Sequence, residues 1–241
     1  MLLMMKYELH RTCLKLLNMI KTILITGTTS GVGATIAYDY IEKGWNVIGL
    51  ARGKSIFNHS NYKHYQVNIG NPYHVNEVFF QIGDKNIDIL VNNAAVFKMK
   101  SFSQTSIDEI DDMIDINLKG AMYVTKFALQ NMEKGSRIFF INSVAGLAEL
   151  EDQSIYCASK HGLTGFAGTL SKELQSRKIK VTSIHPGGIN TPLWDNNTMH
   201  MDVTKLIDPK QITELIKFIC DGDTNIEYKT IKMFPDIEWH Q

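Results

Sequence analysis

Short apolar runs rich in β-branched residues punctuate the chain at 22–26 (TILIT), 46–51 (NVIGLA), 65–69 (YQVNI), 87–92 (IDILVN), 137–141 (RIFFI) and 180–185 (KVTSIH). Each has the length of a strand, and the near absence of polar alternation predicts strands buried on both faces. Between them the apolar positions recur with a helical period. Val32, Ile36, Ala37, Tyr40 and Ile41 share one face, and Gly44 stands where such a helix would close on a left-handed residue. Segments 107–132 and 154–176 predict the two longest helices, and 230–234 a final strand.

Strand and helix alternating throughout predict a doubly wound α/β fold, a parallel sheet with helices on both faces. Such sheets bind ligands beyond the carboxyl ends of their strands, which directs attention to the residues that follow each strand. The compact stretch from Met19 opens on the first strand, so residues 19–241 are expected to form a single domain. Residues 1–18 are expected to be a poorly ordered extension or a start-site artefact. They are apolar enough to suggest an export signal, but Lys6, Glu8, His10, Arg11 and Lys15 interrupt any apolar core.

Composition narrows the function. Among 241 residues, 25 lysines and arginines balance 25 aspartates and glutamates, so there is no basic excess of the kind that holds nucleic acid or anionic lipid. A small-molecule substrate is expected instead, with no nucleic-acid partner and no membrane span. Cys13, Cys157 and Cys220 are too few and too scattered for a disulfide framework or a zinc site, which suits a reducing cytoplasm and predicts no metal.

The first strand runs through Thr26 into Gly27-Thr28-Thr29-Ser30-Gly31-Val32-Gly33 and then into a helix. Glycines there let the backbone approach a pyrophosphate, whose charge meets the free N–H groups of the helix start. Gly27, Thr29, Ser30, Gly31, Val32 and Gly33 are therefore candidate cofactor contacts. The second strand ends Leu50-Ala51-Arg52, with arginine where NAD-binding folds place an acid, and this predicts NADP(H) through a contact of Arg52 with the 2′-phosphate.

Tyr156 and Lys160 lie four residues apart, on one face of a helix. Ser143 follows the fifth strand and Asn117 sits inside the preceding long helix. Together with TGTTSGVG at 26–33, NNAA at 92–95 and PGGINT at 186–191, these residues stand in the order and at the spacing of the short-chain dehydrogenase/reductase family, which the chain resembles over residues 26–191.

The resemblance implies the strand order 3-2-1-4-5-6-7 and an oxidoreductase that interconverts a carbonyl and an alcohol. It implies Tyr156 as general acid/base, Lys160 lowering the phenol's pKa and holding the ribose, Ser143 polarising the substrate oxygen, and Asn117 holding a proton-relay water. It extends the cofactor set to Asn68 and Ile69 near the adenine, to Asn93, Ala94 and Ala95 beneath the ribose, and to Pro186, Gly187, Ile189 and Thr191 around the nicotinamide. Asn68 replaces the family's usual aspartate and Ala95 its usual glycine. A homodimer or homotetramer is also implied.

Segment 192–208 is expected to lie over the substrate as a lid or to pack as a surface helix, with Trp194 as substrate contact. Cys157 and His185 are expected to be structural. Two other readings stay open: a cofactor-binding sensor without catalysis, and an NAD-preferring sugar-modifying enzyme of the same fold.

Overall fold

The computed structural model describes residues 20–194, 202–223 and 225–236. Expectations for residues 1–18, and for residues 195–201 of the segment 192–208, fall outside the described residues. Among the described residues, seven strands form one sheet in the order β3-β2-β1-β4-β5-β6-β7. They are β1 (Thr22–Thr26), β2 (Asn46–Ala51), β3 (Tyr62–Gln66), β4 (Ile89–Asn92), β5 (Arg137–Ile141), β6 (Lys180–Pro186) and β7 (Thr230–Met233). All six neighbouring pairs are parallel. The helices are α1 (Gly31–Glu42), α2 (Pro72–Ile82), α3 (Ile107–Ile114), α4 (Ala121–Ala128), α5 (Ser154–Glu173) and α6 (Pro209–Asp221).

Both faces of the sheet are buried, as the unbroken apolar runs require. Leu24, Leu90, Ile138 and Phe140 point into one core with Val75, Val124 and Leu163 of α2, α4 and α5. The intervening Ile23, Ile25, Val91 and Phe139 point into a second core with Ile36 of α1 and Ile216 of α6. One strand residue thus serves one layer and the next the other, the period of two turned to full burial.

Two elements differ from the expectation drawn from the apolar pattern. The third strand lies at 62–66 rather than 65–69, because β2 stops at Ala51 and its register partner is Gln66. Residues 67–69 therefore run past the end of the ladder. The long helix expected at 107–132 is interrupted by a π-helical turn at Asp115–Gly120, which carries Asn117. An inserted residue of this kind shifts the face that a helix presents, and such turns collect at functional sites. Gly44 does close α1, at φ 76°.

Candidate active site

At the carboxyl ends of the strands lies a cavity of about 850 Å³. Its cofactor-like end is made mostly from backbone. Gly27 and Gly31 hold φ of 77° and 53°, the left-handed region that favours glycine. Ser30 makes no side-chain cap on α1, whereas Asn71, Ser106 and Asp208 cap α2, α3 and α6. The first N–H groups of α1 are thus left for something else. Gly27, Thr29, Ser30, Gly31 and Val32 all line the cavity. Gly33 does not. A Cβ there would collide with the Gly27 carbonyl oxygen, so this glycine lets α1 close onto the loop and touches no ligand space.

The loop after β4 is stitched to β1 by Thr26, whose role no sequence motif announces. Its Oγ1 accepts from the backbone N–H groups of Asn93 and Ala94, both at 2.9 Å. Asn93 Nδ2 in turn donates to the Thr26 carbonyl at 2.8 Å. Asn93, Ala94 and Ala95 line the cavity beside this stitch, and Pro186, Gly187, Ile189 and Thr191 line it from the end of β6.

Arg52 also lines the cavity, exposed, with Nη1 3.4 Å from Asp112 Oδ1 on α3. Asn68 departs from expectation. Its side chain is turned outward, where Oδ1 accepts from Gly70 N–H at 3.0 Å, and the flanking Val67 and Ile69 face the cavity instead. Beneath Arg52 runs a polar chain that is equally silent in the sequence. Thr28 Oγ1 is 2.8 Å from Tyr62 Oη, Tyr62 Oη 3.0 Å from His64 Nδ1, and His64 Nε2 2.9 Å from the Gly53 carbonyl.

Ser143, Tyr156 and Lys160 meet on the far wall of the same cavity. Ser143 caps the short turn 144–146, its Oγ accepting from Ala145 N–H at 3.1 Å, and its hydroxyl faces Tyr156 closely enough to lower the phenol's pKa. Lys160 Nζ lies 5.6 Å from the Tyr156 ring centre and donates to the Ile141 carbonyl at 3.2 Å. The expectation that Lys160 holds the phenol below its ordinary range is corrected by the structure. Burial pushes Tyr156 up to about 12, against the lowering effect of the Ser143 hydrogen bond. Burial likewise pushes Lys160 down to about 8. Removal from water sets the direction for each, and neither group figures among the causes that move the other.

Asn117 does something other than expected. Its Oδ1 accepts from Val96 N–H at 2.8 Å, and its Nδ2 donates to the Val96 carbonyl at 2.9 Å and to Ser159 Oγ at 3.2 Å. Ser159 Oγ donates to the Tyr156 carbonyl at 2.7 Å. The side chain, 1% exposed, is thus a clamp between the loop after β4 and α5 and does not line the cavity. His185 is buried, with Nδ1 3.0 Å from the Ser143 carbonyl and Nε2 2.9 Å from Ser183 Oγ. Burial holds its imidazole below the usual range. Cys157 packs in an apolar cluster with Phe97 and Met113, and burial raises its thiol.

Next to Tyr156 the wall becomes aromatic. Phe97 meets the Tyr156 ring edge-on at 4.7 Å and Trp194 at 5.4 Å. Trp194, anchored by donation from Nε1 to the Ile189 carbonyl at 2.8 Å, lines the cavity. Phe97 was missed, since nothing in the spacing after β4 separates a wall residue from a core residue. Among the described residues, no three His, Cys, Asp or Glu converge as a metal site, and no helix is long and apolar enough to cross a membrane.

The fold recurs in known proteins. A short-chain dehydrogenase of Sinorhizobium fredii, itself uncharacterized, is 34% identical over 231 residues, covering 91% of this chain and 93% of its own. The 3-ketoacyl-(acyl-carrier-protein) reductase of Brucella melitensis, solved with NADH, superposes at a TM-score of 0.80 and 22% identity over 89% of this chain and 96% of its own. A short-chain dehydrogenase of Burkholderia cenocepacia solved with NADP superposes at 0.77 and 23% identity, over 89% and 96%. The family model for short chain dehydrogenases matches residues 21–202, and with the sheet order and the cleft it fixes the assignment: the chain belongs to the short-chain dehydrogenase family of oxidoreductases.

Proposed function

We propose that the protein is an NADP(H)-dependent oxidoreductase that interconverts a carbonyl and an alcohol, with Tyr156 as general acid/base. The observation that carries this reading is the convergence of Ser143, Tyr156 and Lys160 on one wall of a cavity whose opposite end is the glycine loop at the uncapped start of α1. The residues present fit a dinucleotide. A Cβ at Gly27 would stand 2.9 Å from Asn93 Nδ2 and one at Gly31 3.1 Å from Thr191, so side chains there would crowd the loop that a pyrophosphate must approach. The N–H groups at the helix start favour its negative charge.

Gly31 and Val32 would hold the pyrophosphate, Asn93 to Ala95 the ribose, and Pro186, Gly187, Ile189 and Thr191 the nicotinamide end. The nicotinamide supplies or accepts the hydride. Tyr156, kept protonated by burial, gives its proton to the carbonyl oxygen during reduction and takes it back during oxidation. Ser143, on the same cavity wall, holds the substrate oxygen beside it. Lys160, within a turn of Tyr156, holds the ribose and recharges the phenol. Asn117 keeps the ribose floor in register with α5, and a proton-relay water at this turn is part of the proposal.

Arg52 supports NADP(H), as the cation at the end of β2 facing the adenosine end of the cavity. One observation favours the alternative of NAD(H): Asp112 faces Arg52 at 3.4 Å and would compete with a 2′-phosphate. The decisive experiment is a fluorescence titration of NADPH and NADH on wild type and Arg52→Ala. Tighter NADPH binding that Arg52→Ala abolishes upholds the proposal. Equal or tighter NADH binding overturns the cofactor choice, and binding of neither overturns the oxidoreductase reading itself. The proposal further takes residues 19–241 as one domain acting in the cytoplasm as a homodimer or homotetramer.

A further inference from the structure

The cavity beyond Ser143 and Tyr156 is unlike the glycine-lined end in what it offers a ligand. Phe97 and Trp194 stand edge to face, and Leu150, Leu193 and Val144 complete the wall. Phe97 and Tyr156 belong to one buried apolar cluster, against which Leu150, Leu193 and Trp194 pack. Where cations come near, they are matched or outnumbered. Lys100 is committed to Glu109 at 2.9 Å. Lys98 lines the cavity, exposed, but so do Asp108 and Glu109, and the loop above carries Glu149, Glu151 and Asp152, whose carbonyl accepts from Lys100 N–H. Among the described residues, no arginine stands at this end of the lining. A carboxylate or phosphate here would meet a net negative field and no fork of donors. Gln153, one turn before Tyr156, adds an uncharged polar group to this part of the lining.

We propose that this end of the cavity binds an uncharged ketone or secondary alcohol with a ring-bearing apolar body, laid between Phe97 and Trp194. This rests on the reading of Ser143, Tyr156 and Lys160 as the reacting centre. Ring faces at near right angles offer an incoming ring both edge and face contacts, which add to the apolar area removed from water. An acidic surround adds nothing for such a ligand and excludes its charged analogues, so selection works by repulsion as well as by fit.

The test separates binding from turnover. Acetophenone and acetoacetate are titrated calorimetrically into wild-type protein and into Tyr156→Phe, each with and without NADPH. Acetophenone is expected to bind at least about tenfold more tightly than acetoacetate. That margin is expected to shrink in both Phe97→Leu and Trp194→Ala, two changes on different elements that do not share a folding risk. Leu150→Arg is expected to raise acetoacetate affinity and leave cofactor affinity as it was. Equal or tighter binding of acetoacetate in wild type, or a margin that survives both wall variants, overturns the proposal. Tight, wall-dependent binding of acetophenone with no reduction by NADPH or NADH upholds the site and overturns the oxidoreductase reading instead.

Discussion

Around the loop 26–33 the contacts are made by backbone groups and short polar side chains, whereas around Phe97 they are made by ring faces and branched aliphatics. At the first end, Thr26, Gly27, Gly33 and Asn93 are fixed by distances that admit no other residue: a hydroxyl accepting two N–H groups, a left-handed turn, a helix pressed against a carbonyl. At the second, Phe97, Leu150 and Trp194 fill space, and other apolar side chains of similar volume would fill it too. A demand on backbone geometry leaves a mark in sequence. A demand on shape does not.

The comparison can be broken or sharpened in four ways, beginning with the largest effect. Tyr156→Phe removes the proton but little volume, and turnover is expected to fall by about 100- to 10,000-fold in initial-rate assays, with cofactor affinity unchanged. Retention of more than a tenth of the wild-type rate would take the reacting centre elsewhere. Gly33→Ala places a Cβ against the Gly27 carbonyl oxygen. A loss of about 1–3 kcal/mol of stability by chemical denaturation is expected, whereas Leu150→Ala, at the other end of the cleft, should cost distinctly less.

The third concerns pH. Tyr156 is pushed up to about 12, so at neutrality it holds its proton and the phenolate that oxidation needs is scarce. Alcohol oxidation should rise with pH by up to about tenfold per unit below that value, while carbonyl reduction, which uses the protonated form, should show no such rise. A parallel pH profile in the two directions would contradict the assignment. The smallest effect lies on the surface. Arg52 and Asp112 are both about half exposed and pair at 3.4 Å, so Asp112→Asn should tighten NADPH binding by no more than about fivefold and leave NADH alone. Raising salt should shrink even that.

Much of the fold and of the site is legible in the amino-acid order. The six apolar runs mark six strands, of which only the third is misplaced, lying at 62–66 where 65–69 was expected. The glycine loop, Ser143, Tyr156 and Lys160 lie on one cavity, as their spacing implies. What stays hidden is set by long-range partners. Asn68 turns outward because strand alternation gives the inward positions to Val67 and Ile69. Asn117 stands out in the sequence, but the Val96 backbone that occupies it lies 21 residues away. Nor can a hydropathy pattern foretell the π-helical turn, since its cost and its cause lie in what Asn117 reaches. The sign of the Tyr156 shift escapes a local motif because burial, which no such motif reports, is its largest cause.

The hydrogen-bonded path from Thr26 through the loop after β4 to Asn117, Ser159 and the Tyr156 carbonyl works as a truss. It joins the strand that begins the dinucleotide loop to the helix that carries the phenol, and none of its bonds is made by the side chains of Phe97, Leu150 or Trp194. Tolerances between reacting groups are thereby held by parts that a change of substrate need not touch. Walls at 97, 150 and 194 can be rebuilt for a new molecular shape with the jig still clamped, which makes this end of the protein the natural place for a lineage, or an engineer, to look for new selectivity.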